Sequence, residues 1–300
     1  MKISSAVLPA LLASFQALSA QSLAGVVDIH VHSGPDSVPR SIDSLAISRL
    51  ARERGLRAIV LKNHYEPTAA LAGLARTVAP GIEIFGGIAL NGTVGGINLA
   101  AVERMTRVTG GYGRIVWMPT FDAENQVRFN KETRPSVSVS KNGKLLPDTL
   151  AMLDLIAKKK LVLATGHSTA VEDLMLIREA RKRGVEKIVV THGMLAPVLM
   201  SVEQAREAAQ LGAYVEFVGN AVIGQTKSAE FADYAKSMKA IGLDHCILSS
   251  DLGQAGNPLH PDGLEQIFAG LRSAGMTVSE IETVVKKNPA KLLGLGLAQE

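Results

Sequence analysis

Seven histidines punctuate a chain of 300 residues, and most of them share a position. His30 and His32 close the first apolar run, His64 follows the second, and His167 and His192 follow two later ones. His260 lies in the loop after the last run, and only His245 begins one. Histidines serving packing alone have no reason to choose one end of successive apolar runs. Gathered imidazoles suit a metal centre or proton transfer. His30 and His32 stand at i and i+2, which share one side of a strand, so both rings can chelate one ion. Asp28 has the same parity one step deeper, where a carboxylate can orient an imidazole. Asp251 ends the last run, placed to bind metal or to accept a proton from an activated water.

The elements that must position these residues follow from the hydrophobic pattern. Strands are predicted near Val26–His32, Ala58–Asn63, Ile82–Ala89, Arg114–Met118, Leu161–Thr165, Lys187–Thr191, Tyr214–Phe217 and Cys246–Ser250, with helix-period segments between them. Ile42, Leu45, Ala46 and Leu50 form one such face; Phe231, Tyr234, Ala235, Met238 and Ile241 form another. Thr169 with Glu172, Ser201 with Gln204 and Thr277 with Glu280 read as capping boxes. Gly55, Gly184, Gly212 and Gly242 stand where left-handed helix ends are expected. Strands apolar on both faces require a buried parallel sheet. No glycine-rich phosphate loop follows the first strand, where Ser33-Gly34-Pro35-Asp36 stands, so an open doubly wound sheet is disfavoured. The expected fold is therefore a (β/α)8 TIM barrel, whose sites lie at the C-terminal ends of its strands. One connection, Pro119 to Pro147, is long. Its Ser136-Val137-Ser138-Val139-Ser140 alternation and Asn142-Gly143 predict an inserted hairpin-like loop after the fourth strand, serving either as a lid or as a decorative or dimer-forming insertion.

At 47% apolar and 20% charged residues, the composition is that of a globular domain and excludes disorder. A net charge of +4 with scattered basic residues argues against nucleic-acid binding. The lone Cys246 reads as a buried structural thiol. Residues 1–20, with Lys2 ahead of an apolar stretch ending in Ser19-Ala20, read as a secretory signal peptide and are too short to span a membrane. That reading places the protein in the periplasm or outside the cell. The alternative is a structural helix presenting Leu8, Leu11, Leu12, Phe15 and Leu18, which would leave the chain cytoplasmic.

The motifs together resemble the amidohydrolase superfamily. They are Asp28-Ile29-His30-Val31-His32, Thr165-Gly166-His167, Thr191-His192-Gly193, Ser249-Ser250-Asp251 and the tail Asn288-Pro289-Ala290-Lys291-Leu292-Leu293-Gly294, and the likeness runs from about Val26 to Leu295. Lys62-Asn63-His64 and the segment from Asp251 to Pro258 resemble a branch of amidohydrolase-like proteins whose substrates are not established. The resemblance implies a single metal-dependent hydrolase domain over residues 26–295. It implies His30 and His32 as ligands of one metal, His167 and His192 as ligands of a second or contacts to substrate, and Asp251 as ligand and general base. Many members carry a bridging lysine or glutamate on the fourth strand. Here that place reads Val116-Trp117-Met118-Pro119, with neither.

The expected cofactor is one or two divalent ions, zinc first, with manganese, iron or nickel as alternatives. The expected reaction is hydrolysis of a C–N or C–O bond in a small amide, cyclic amide, lactone or ester. Asp251 moves the proton, and His192 or His64 holds the developing oxyanion. Lys62 could bridge two metals, but a charge stabilising an anionic substrate or oxyanion is the favoured reading. Trp117 and His260 are candidate substrate contacts, and Glu216 reads as a hydrogen-bonded barrel residue rather than a ligand. The glycines around the third strand read as turn formers. Rivals are a single-metal decarboxylase on the same barrel and a non-catalytic metal- or ligand-binding protein. A histidinol-phosphatase-like phosphoesterase ranks low, because Asp36 is the only acid soon after His32. The partner is a small molecule, with no membrane span, and a homo-oligomer is compatible with all of this.

Overall fold

Eight short parallel strands hydrogen-bond in chain order in the computed structural model, which describes residues 22–296. They are β1 (Val27–Val31), β2 (Ala58–Leu61), β3 (Glu83–Ala89), β4 (Gly113–Trp117), β5 (Val162–Ala164), β6 (Lys187–Val190), β7 (Tyr214–Val218) and β8 (Cys246–Ser249). Every strand predicted from the apolar runs is present, within a residue or two at each end. The segment 1–20 lies outside the described residues. No described helix is long and apolar enough to cross a membrane.

The sheet closes on itself. Val31 pairs with Leu252, the His32 N–H donates to the Leu252 carbonyl at 3.0 Å, and the Asp251 N–H donates to the His30 carbonyl at 2.9 Å. The seam of the barrel is thus made by residues that also supply candidate ligands. Two apolar layers support it. Val27, Ile29, Val60, Phe85, Ile115, Val162 and Ile247 fill the barrel with Leu292 and Leu293 from the C-terminal helix. A larger layer, including Ile59, Ile84, Val116, Leu163, Ile188 and Leu248, packs under the outer helices. The alternation of strand residues between the two layers is what an all-parallel closed sheet demands.

The local signals act where they were expected. All three capping boxes form. Gly55, Gly184, Gly212 and Gly242 all take positive φ before the next strand. Cys246 is buried and unpaired, and burial pushes its thiol up to about 12. Two expectations need correction. The first helix, Ser44–Glu53, buries Ser44, Ile47, Ser48 and Ala51, while Leu45 and Leu50 are only partly covered. Its small residues face the barrel because they permit closer approach than leucine. The hairpin is also shorter than the serine–valine alternation suggested. Ser140–Lys141 pairs with Lys144–Leu145 through Asn142 and Gly143, both at positive φ as a tight hairpin turn requires. Val137 instead bridges Ala123, and Val139 is buried.

Candidate metal centre

His30 and His32 point their Nε2 atoms at one carboxylate oxygen. Both stand 3.1 Å from Asp251 Oδ1. The far side of each ring has an acceptor. His30 Nδ1 is 3.1 Å from Glu216 Oε1, and His32 Nδ1 is 2.8 Å from the Lys62 carbonyl. A carbonyl can only accept, so His32 carries its proton on Nδ1. Glu216 already accepts from Ser249 Oγ at 2.5 Å and from the His192 N–H at 3.1 Å, so it too acts as an acceptor toward His30. Both Nε2 atoms therefore present lone pairs. Burial holds both rings well below their ordinary pKa and so favours the neutral imidazole in each. Three potential ligand atoms, all within 4.8 Å of one another, converge here. The donor set of two imidazoles and one carboxylate fits a divalent ion.

Asp28 does not orient an imidazole as its parity suggested. Its Oδ1 accepts from the His30 N–H at 3.2 Å and from the Ser250 N–H at 3.0 Å, tying β1 to the end of β8. The β1–β2 register shifts between Asp28 and Val31, so simple alternation does not carry through to the histidines. Glu216 takes the orienting role instead. Sequence reading favoured a hydrogen-bonded residue there, which holds, but did not find its partner. The available signal was a lone carboxylate between Val215 and Phe217.

Three more imidazoles join the same mouth. The His192 ring lies 4.8 Å from that of His167 and 6.1 Å from that of His30. His64 lies 5.0 Å from His32 and 6.4 Å from His167. His167 Nε2 and His192 Nδ1 are buried with no hydrogen-bond partner. His192 and Asp251 both hold positive φ, 29° and 50°, a conformation that non-glycine residues keep where the surroundings impose it. Trp117 joins this group at 6.4 Å from the His30 ring. Lys62 is buried, its Nζ unpartnered and 5.5 Å from the Trp117 centroid. Burial lowers its pKa to about 8, opposed by the Asp251 carboxylate. His260 departs from the expectation of a substrate contact. Its Nε2 bonds the Leu252 carbonyl at 2.8 Å, the same oxygen that receives the His32 N–H, and its ring stays outside the contacts linking the other imidazoles. It braces the seam.

The long connection after β4 reaches the site through its first half. Phe121 stacks on His64 with centroids 3.6 Å apart and planes 12° from parallel. The hairpin leans instead on the helix Ala170–Lys182, with Ser140 Oγ donating to Glu172 at 2.7 Å. Gln126, Asn130 and Glu132, none of them anticipated, line a pocket of about 360 Å³ with Tyr65, Phe121 and Arg134. They also form a directional chain. Glu132 accepts from Asn130 Nδ2 at 2.9 Å, Asn130 Oδ1 accepts from Gln126 Nε2 at 3.1 Å, and Gln126 Oε1 accepts from His167 Nδ1 at 2.8 Å. The carboxylate fixes both amide orientations and so leaves the His167 Nε2 lone pair free. Gln126→Leu should release this tautomer and weaken ligand binding at His167 about tenfold or more. Nitrogen NMR of the ring checks it: an unchanged Nδ1-protonated tautomer in the variant would refute the relay.

The chain belongs to the family described as "Family of unknown function (DUF6282)", whose profile matches residues 25–216. No curated protein matches it. Among solved structures, an amidohydrolase from Pseudomonas aeruginosa superposes with a TM-score of 0.63 at 14% identity, covering 92% of this chain and 98% of that one. An organophosphorus hydrolase from Deinococcus radiodurans gives 0.61 at 15% identity over 92% and 94%. A phosphotriesterase homology protein from Escherichia coli gives 0.60 at 15% over 90% and 98%. At these identities the likeness establishes the barrel that these proteins share.

Proposed function

We propose that this member of the DUF6282 family is a metal-dependent hydrolase. It cleaves a C–N or C–O bond in a small amide, cyclic amide, lactone or ester, with one ion held by His30, His32 and Asp251. The observation that carries the reading is the meeting of two imidazole lone pairs and one carboxylate oxygen within 4.8 Å, with their protons fixed on the opposite sides of the rings. The names of the similarly folded proteins, an amidohydrolase and an organophosphorus hydrolase, support the same class.

When bound, a divalent ion supplies Lewis acidity and lowers the pKa of water toward neutrality. Asp251 offers a second carboxylate oxygen beyond the one facing the histidines, and that group takes the proton of the attacking water. It then returns the proton to the leaving nitrogen or oxygen. His192, its Nδ1 unpartnered and its backbone held by Glu216, faces the reacting group from β6. His167 stands beside it with a free Nε2 and either contacts substrate or completes a weaker second metal position. Trp117 in place of a bridging residue on β4 favours a single tightly held ion. Zinc suits the donor set best, with manganese, iron and nickel as alternatives.

Elemental analysis after purification without chelator tests this directly, with roughly one ion per chain expected. Chelation should abolish hydrolysis across a panel of lactones, esters and amides, and added Zn2+ should restore it. A metal-free protein, or turnover indifferent to chelator, would overturn the proposal.

A further inference from the structure

Among the described residues Lys62 makes no ion pair, although Asp251 and Glu216 attract it through space. Its Nζ is buried without a hydrogen-bond partner, and Asp251 Oδ1 faces His30 and His32 instead, at 3.1 Å from each Nε2. The face of Trp117 lies 5.5 Å from Nζ. An ammonium withdrawn from water with no anion bonded to it is costly, and a bound anion offsets that cost.

His64, two residues further on, supplies a second donor. Asn91 Oδ1 accepts from the Thr120 N–H at 2.9 Å and the Asp122 N–H at 3.1 Å, so its amide cannot flip. Asn91 Nδ2 then donates to Thr120 Oγ1 at 2.8 Å. Thr120 is buried and its hydroxyl has no other acceptor among the described residues, so the hydroxyl proton goes to His64 Nδ1, 2.9 Å away. His64 therefore carries its own proton on Nε2, the reverse of His32 and His167. It is built to donate a hydrogen bond rather than to bind metal.

We infer that Lys62 and His64 form an anion subsite that holds a carboxylate carried by the substrate, beside the His30–His32–Asp251 centre. The inference rests on the hydrolase reading and names its substrate class. A full charge that exists before reaction selects a full charge on the bound substrate; a transient oxyanion would leave the ammonium unpaired throughout binding. Two donors with one positive charge match two oxygens with one negative charge. A doubly charged phosphate would also meet the nearby acids Asp251 and Glu216, both of which act on Lys62. Trp117 against Lys62 and Phe121 against His64 make the surroundings aromatic, so the carbon skeleton next to the carboxylate is apolar.

Trp117 is the only tryptophan of the chain and sits at the subsite, so its fluorescence is a readout independent of turnover. Butyrate, butyramide and inorganic phosphate are titrated at constant ionic strength into the full chain, with Zn2+ and again with chelator, and calorimetry repeats each titration. Butyrate should give a saturable change and butyramide none. Lys62→Met, which keeps the length of the side chain, should weaken butyrate at least about tenfold. Thr120→Val, which frees the His64 tautomer, should weaken it less. Butyrate affinity unchanged in Lys62→Met would show the carboxylate on the metal and overturn the subsite. Tighter Lys62-dependent binding of phosphate than of butyrate would overturn the carboxylate assignment. Loss of hydrolysis or metal bears on the function, whereas these titrations bear on the subsite alone.

Discussion

Asp251→Asn should lower kcat/KM by about a thousandfold while the protein still binds its ion. Asparagine keeps an oxygen where Oδ1 faces His30 and His32 at 3.1 Å. It also tolerates the left-handed backbone that Asp251 adopts at φ 50°. The hydrogen bond from the Asp251 N–H to the His30 carbonyl is untouched. What the amide lacks is a group that takes a proton near neutral pH. The variant therefore separates holding the ion from moving the proton. Metal content should stay near the wild-type value, and turnover should fall with KM little changed. Asp251→Ala, by contrast, should lose both functions. Full activity in Asp251→Asn would remove Asp251 from proton transfer and move that duty to another group at the mouth, His192 first.

The sequence made the barrel and its histidines legible because those signals are local. Each strand is a short apolar run between helices, and five of the seven imidazoles stand at or just past a run's end, so position along the strand translates directly into position at the mouth. What fixes the protons is not local. Glu216 meets His30 from the far side of the barrel, and Gln126 meets His167 from the long connection after β4. No spacing rule pairs such residues. The Asp28 reading failed for a related reason: it assumed strict alternation, and the register shift in β1 breaks it just before His30. His260 misled because a loop position near the mouth does not reveal which carbonyl its ring will choose.

The seam that carries the ligands also makes one glycine decisive. Gly253 has φ 114°, and a Cβ added there would lie 2.0 Å from the His32 carbonyl oxygen and 2.7 Å from its carbon. Both are backbone atoms, so no side-chain rotation relieves the overlap. Its own carbonyl accepts from the Ser41 N–H at 2.9 Å, and the neighbouring Leu252 carbonyl accepts from the His32 N–H at 3.0 Å. Room for the methyl group comes from moving either His32 or the loop at Leu252–Gly253, and both movements strain the seam that sets His32 against Asp251. Gly253→Ala should thus cost about 3 kcal/mol or more of stability and loosen metal binding with it. Gly275→Ala is the control. It has a comparable positive φ of 85°, but a Cβ there meets nothing within 4 Å. That variant should lose only the backbone preference, about 1–2 kcal/mol, with metal affinity intact. Denaturant unfolding of the chelated proteins and Zn2+ competition titrations separate the two effects. If Gly253→Ala behaves like Gly275→Ala in both, the β1–β8 seam is not what holds His32 against Asp251.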